Sequence, residues 1–149
     1  YVTVAGGSAG AYLAVMVGVS DKGDFFDELD APSDPALGST NPDEIVEVDT
    51  VLDFWGGPAH LEMLTLIDGK NRFDANDPSL MIVHGTEDPV VAYKSAETLA
   101  KYYDIAGAGY ELHPIVGGGH GGWNKIIDGK SLVELSFDFV LETQKLALS

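Results

Sequence analysis

The sequence predicts an α/β protein, a mostly parallel β-sheet with helices on both faces. Three observations carry that prediction. Stretches of strand and helix character alternate in the order β-α-β-α-β-α-β-α, and strands separated by helices imply crossover connections and parallel pairing. The run "SLMIVHG", 79–85, is apolar and bounded by Pro78 and Gly85, as a strand covered on both faces should be. The opening "VTVAGGSAGAYLAVM" joins a β-branched run to a helical apolar pattern through glycines and one serine.

Each element has its own warrant. Residues 1–5 are β-branched and alternate loosely, and read as a strand. Residues 9–19, "AGAYLAVMVGV", are small and apolar, and suit a buried helix. Residues 20–46 are rich in Asp, Pro, Ser and Gly, and read as a long loop with one short helical turn near Phe25 to Leu29. Residues 48–55, "VDTVLDFW", form a second strand closed by Gly56 and Gly57. A short helix follows at 59–67 and ends at "DGK". After the strand at 79–85, residues 90–106 form an amphipathic helix with Ala92, Ala96, Leu99, Ala100 and Tyr103 on one face. "GYELHPIVG", 109–117, is the fourth strand. The last helix spans 130–146, with Leu132, Leu135, Phe139 and Leu146 at helical spacing. "IDGK" occurs at 67 and again at 127 with different flanks, and both copies read as turns.

Composition narrows the function. The chain has 149 residues, 45% of them hydrophobic, which is enough for one domain with a core. Twenty-four Asp and Glu face 8 Lys and Arg, a formal charge of -16. That charge repels phosphate backbones and anionic membranes, so neither nucleic acid nor membrane is an expected partner. Cysteine is absent, which removes disulfides and thiolate metal sites. No apolar run is long enough to span a bilayer. Localisation reads as cytoplasmic by default, with secretion left open because the sequence opens directly on a strand.

In a parallel sheet, ligands bind at the carboxyl ends of the strands. Three motifs fall there. "GGSAG", Gly6 to Gly10, is G-x-S-x-G between strand and helix, the nucleophile-elbow pattern. Such a turn strains the serine and pushes its hydroxyl into the open. Glycines on either side remove Cβ atoms that would collide with neighbouring elements. The helix N-terminus, through the Ala9 N–H, offers a donor to an oxyanion. Ser8 acting only as a helix cap, or the loop as a phosphate cradle, are the other readings. The motif lacks the lysine that a phosphate loop needs. The second motif is "HGTEDPVV", 84–91, where Asp88 stands after the third strand, either as an acid or as a turn cap. Glu87 is a rival acid. The third is "GGGHGGW", 117–123, where His120 sits among five glycines that let its loop bend over the strand ends. His60, His84 and His113 are weaker candidates: His60 opens a helix, and the other two belong to strands. No H-x-x-x-H or clustered carboxylate spacing supports a metal at His120. Phe54, Trp55 and Trp123 lie near strand ends and are candidates for lining a substrate site.

Ser8, Asp88 and His120 follow three strands in the order Ser…Asp…His of the α/β-hydrolases. Together "GGSAGA", "VLDFWGG", "HGTEDPVV" and "YELHPIVGGGHGGW" resemble the carboxylesterase and lipase-like branch, which includes acetyl-xylan and feruloyl esterases. The resemblance covers nearly the whole chain. It implies a Ser8 nucleophile, an Asp88 acid, a His120 base and an Ala9 oxyanion donor. Trp55 and Trp123 are then candidates beside a small-molecule ester substrate. The mechanism it implies needs no cofactor and no metal. A prolyl-oligopeptidase-like peptidase and an inactive binding or assembly module are the alternatives.

The resemblance also implies strands ahead of the elbow, with an "HGG"-type loop that donates the second oxyanion N–H. The only "HGG" here is 120–122. Residues 1–149 therefore read as a single α/β-hydrolase domain, the C-terminal part of that fold, incomplete at the N-terminus. Its first strand is expected to be an unprotected sheet edge that associates with another copy or with a separate N-terminal piece.

Overall fold

The computed structural model describes residues 1–21, 24 and 47–147. The helical turn expected near Phe25 to Leu29 lies outside the described residues. Among the described residues, four strands build the main sheet: β1 (Thr3–Gly7), β2 (Thr50–Phe54), β3 (Ser79–Gly85) and β4 (Tyr110–Ile115). They pair in chain order, each neighbour parallel to the next. The helices are α1 (Ala9–Val19), α2 (Ala59–Asp68), α3 (Lys94–Ala106) and α4 (Leu132–Thr143). A hairpin of β5 (Ile126–Ile127) and β6 (Lys130–Ser131) precedes α4.

Strand periodicity divides the core. Val51, Leu80 and Ile82 pack with Ala14, Val15 and Val19 of α1 and with Ala96, Leu99, Ala100 and Tyr103 of α3. Their neighbours Leu52, Phe54, Met81 and Val83 pack with Leu132, Leu135 and Phe139 of α4. Successive residues of β2 and β3 thus feed opposite faces, which is why both strands are apolar along their length.

Two boundaries differ from the sequence expectation. Helix α3 begins at Lys94 rather than at 90, because Asp88 Oδ1 accepts the N–H groups of Val90 (2.8 Å) and Val91 (2.9 Å) and closes a turn there. The second "IDGK" is the tip of the β5–β6 hairpin, with Asp128 at φ 54° and Gly129 at φ 83°. Two positive φ values in a two-residue loop are what Asp-Gly supplies. Lys130 and Ser131 consequently belong to a strand, and α4 starts at Leu132 behind a capping box between Ser131 and Glu134.

One buried acid stands out in β2. Asp53 is fully buried and its Oδ1 accepts the Gly56 N–H at 2.8 Å, while Oδ2 has no partner among the described residues. Burial pushes its carboxyl up to about 7, against the pull of the Gly56 and Gly57 N–H groups.

Among the described residues, strand β1 has a partner on one side only. Val2 O accepts from Thr50 N and Ser8 N donates to Phe54 O. Even-numbered residues therefore face β2, and the main-chain groups of Thr3, Ala5 and Gly7 turn to the open side. Beside Thr3 runs an apolar groove of about 430 Å³ lined by Leu52, Phe54, Trp123, Val133, Phe137 and others. Helix α1 leaves Leu13 and Val17 exposed.

Two outcomes are expected. An apolar edge unpaired among the described residues predicts that the 149-residue chain self-associates through β1, more tightly as salt screens its charge of -16. Sedimentation at low and high salt checks this, and a single monomer with a cooperative melt in both refutes it. Asp53 predicts the second. Between the ordinary carboxylate range and pH 7 the folded state keeps a proton that the unfolded chain has lost, so stability falls as pH rises through that window. Asp53→Asn cannot ionise. Its melting temperature should gain on the wild type by roughly 5–10 °C from pH 4 to pH 8. A pH-independent gap would mean that Asp53 is ionised in the fold.

Candidate active site

Three loops at the carboxyl ends of β1, β3 and β4 meet. Ser8 is the single residue between β1 and α1, held at φ 54° and ψ -120°. That conformation is strained for a residue with a Cβ. The local cause is a close crossing of strand and helix: a Cβ on Gly6 would overlap the Gly10 carbonyl and lie 2.7 Å from Ala11 N. Gly10 has open space where its own Cβ would go, so of the two outer glycines only Gly6 is demanded by sterics. Ser8 occupies the cap position of α1, yet its side chain makes no capping hydrogen bond. The hydroxyl is free for another partner.

That partner is His120. Its Nε2 lies 2.9 Å from Ser8 Oγ, and its Nδ1 lies 2.8 Å from Asp88 Oδ2. The His120 side chain is partly exposed, whereas that of Asp88 is fully covered. The structure therefore brings together the three residues that the motifs singled out. Asp88 does both things the sequence allowed, closing its turn with Oδ1 and holding the imidazole with Oδ2. Burial pushes its carboxyl up, but the bonds from His120, Val91 and Val90 outweigh that and hold it below the ordinary carboxylate range. Ala9 is the first residue of α1 and exposed, so its N–H has no intrahelical partner. Glu87, the rival acid, is exposed.

Sequence reasoning missed what aligns the Asp88 and His120 loops. Thr86 N donates to Ile115 O at 3.0 Å, Thr86 Oγ1 accepts the Gly117 N–H at 2.8 Å, and Glu87 N donates to Gly118 O at 2.9 Å. A Cβ on Gly85 would overlap the carbonyl oxygens of Gly118 and Gly119. The signal was present in "HGTED", where a small residue and a hydroxyl precede the acid.

The other candidates fall elsewhere. His60 is exposed and stacks edge-on against Tyr12. His113 pairs with Glu111 at 2.8 Å on β4. His84 is fully buried behind Asp88. Trp55 is only 3% exposed and lies under Trp123, with ring centroids 4.9 Å apart, so it packs beneath the surface instead of lining it. Trp123 is 65% exposed, and both indoles come within 3.4 Å of where a Cβ on Gly7, next to Ser8, would sit. Among the described residues no cluster of three or more His, Cys, Asp or Glu could hold a metal ion.

Comparison with known proteins bears on this geometry. The family model described as the prolyl oligopeptidase family matches residues 1–146. No curated protein matches. Solved structures do. A truncated carbohydrate esterase from gut microbiota superposes with a TM-score of 0.70 at 23% identity, over 97% of this chain and 60% of that one. A propionate-bound esterase 2 of the planctomycete Thermogutta terrifontis gives 0.64 at 22%, over 99% and 57%. The same esterase phosphorylated by paraoxon gives 0.60 at 23%, over 99% and 55%. At these identities the likeness is one of fold, and the chain spans three fifths or less of each. The parallel sheet, the strand-to-helix turn at Ser8 and a family match over nearly the whole length place this chain in the prolyl oligopeptidase family of the α/β-hydrolase superfamily.

Proposed function

We propose that the chain is a serine hydrolase that cleaves carboxylic esters through Ser8, His120 and Asp88. One observation carries this reading: two consecutive hydrogen bonds of 2.9 and 2.8 Å link a strained, uncapped serine to a histidine and a covered aspartate. In this reading Ser8 Oγ attacks the ester carbonyl and passes its proton to His120 Nε2. Asp88 holds the tautomer with Nδ1 protonated and stabilises the imidazolium. Ala9 N–H stabilises the oxyanion. The proton then goes to the leaving alcohol, and water attacks the acyl-Ser8 by the same path, releasing the acid. Trp123, exposed next to the elbow, forms one wall for the substrate.

The choice of an ester leans on the fold shared with esterases. The family match favours a second reading, a peptidase that uses the same residues on an amide. A panel of p-nitrophenyl acetate, p-nitrophenyl butyrate and a prolyl p-nitroanilide separates them. Cleavage of the esters alone supports the first reading, and preference for the anilide supports the second.

Paraoxon tests the site itself. The wild type should gain a diethylphosphoryl group on the peptide containing Ser8, read by mass spectrometry. Ser8→Ala should melt like the wild type, resist labelling and lose ester hydrolysis by at least about 10³-fold. Asp88→Asn should keep more activity than Ser8→Ala. Full activity in purified Ser8→Ala removes Ser8 as the nucleophile.

A further inference from the structure

We propose that His84 is a positioning residue for Asp88. Resting on the reading of Ser8, His120 and Asp88 given above, this inference adds a second histidine behind the acid.

His84 is the penultimate residue of β3 and is fully buried. Its Nε2 lies 2.8 Å from Val91 O. A carbonyl only accepts, so Nε2 carries the hydrogen. The same nitrogen lies 3.4 Å from Asp88 Oδ2, the oxygen bonded to His120. The Val91 N–H in turn donates to Asp88 Oδ1 at 2.9 Å. His84 thus holds Val91 by its carbonyl oxygen while Asp88 holds the same residue by its N–H. The positive end of the His84 N–H also stands beside the carboxylate oxygen that His120 uses. Asp88 is held in place through Val91 and flanked by an imidazole on either side.

Stability alone does not account for this residue. His84 Nδ1 is buried with no partner among the described residues. A buried polar atom without a partner costs free energy that an apolar side chain would avoid. The ring packs edge-on against Tyr93, with centroids 5.9 Å apart, a contact that an apolar ring could make as well. What an apolar residue could not supply is the Nε2–H, and that hydrogen serves the Asp88 turn.

The two nitrogens can be tested separately. The amide nitrogen of glutamine reaches about as far as Nε2, and that of asparagine about as far as Nδ1. Kinetics of p-nitrophenyl acetate hydrolysis are compared for wild type, His84→Gln and His84→Asn. Rates are expressed per site titrated with paraoxon, so that only folded sites count. His84→Gln should keep kcat within about threefold of the wild type. His84→Asn should lose kcat by roughly 10- to 100-fold, the scale of a small misplacement of a catalytic group, with KM within about twofold. Equal kcat in the two variants, or a more active His84→Asn, overturns the proposal. Ser8→Ala run alongside separates the two readings. If it is inactive while the His84 variants match, the triad stands and the role of His84 falls. If Ser8→Ala is active, the triad reading itself has failed.

Discussion

At the joint of β1 and α1 two backbones touch. The Cα of Gly6 lies so close to the Gly10 carbonyl that no side chain fits between them. That contact forces the chain to reverse from strand to helix within one residue, and the residue is Ser8, at φ 54°. Several consequences follow from the same crossing. The serine hydroxyl leaves the helix axis and is not spent on capping. The first N–H of α1 opens beside it, where a helix N-terminus favours negative charge. The apolar helix is then laid across β1 and β2, burying Ala11, Ala14, Val15 and Val19.

A similar contact at the other end of the site involves Gly85, whose Cα abuts the carbonyls of Gly118 and Gly119. It seats the glycine-rich loop on the end of β3. The Thr86 and Glu87 hydrogen bonds then hold that loop in register with the Asp88 turn. His120 reaches both Ser8 and Asp88 because the parallel strands end at one edge and these backbone contacts align the loops that leave them. Loops supply the chemistry, and the sheet supplies their relative positions.

Two aspartates whose side chains are covered are pushed in opposite directions by their surroundings. Neither has a Lys or Arg beside it among the described residues. Asp88 is bonded by His120 and by two N–H groups and stays below the ordinary range despite burial. Asp53 receives only the Gly56 and Gly57 N–H groups, leaves one oxygen unpartnered, and rises to about 7. The depth of burial, set against the donors that reach each carboxylate, decides the outcome. In a chain with a formal charge of -16, the His120 imidazole, helped by the Val91 and Val90 N–H groups, does for Asp88 what a Lys or Arg would do elsewhere.

Much of the architecture was legible in the residues. Strands and helices announced themselves by period, and the order of Ser8, Asp88 and His120 by strand-end motifs. The hairpin at 126–131 was missed, although Asp-Gly at its tip and Ser131 with Glu134 at the next helix start both carry local signals. The early start assigned to α3 failed because the Asp88 side chain captures the Val90 and Val91 N–H groups. Other features had no local signal. That Trp55 lies under Trp123, that Gly6 is sterically required and Gly10 is not, and that His84 stands behind Asp88 all depend on which elements touch. The sequence by itself determined element type, parallel pairing and the chemical identity of the candidate site, because these rest on periodicity and on residue type at strand ends. Only the tertiary structure decided which aspartate carboxyl is pushed up and which is held low, which tryptophan is exposed and how closely His120 approaches Ser8. Those outcomes turn on burial and hydrogen-bond donors brought together from segments as far apart as residues 8 and 120.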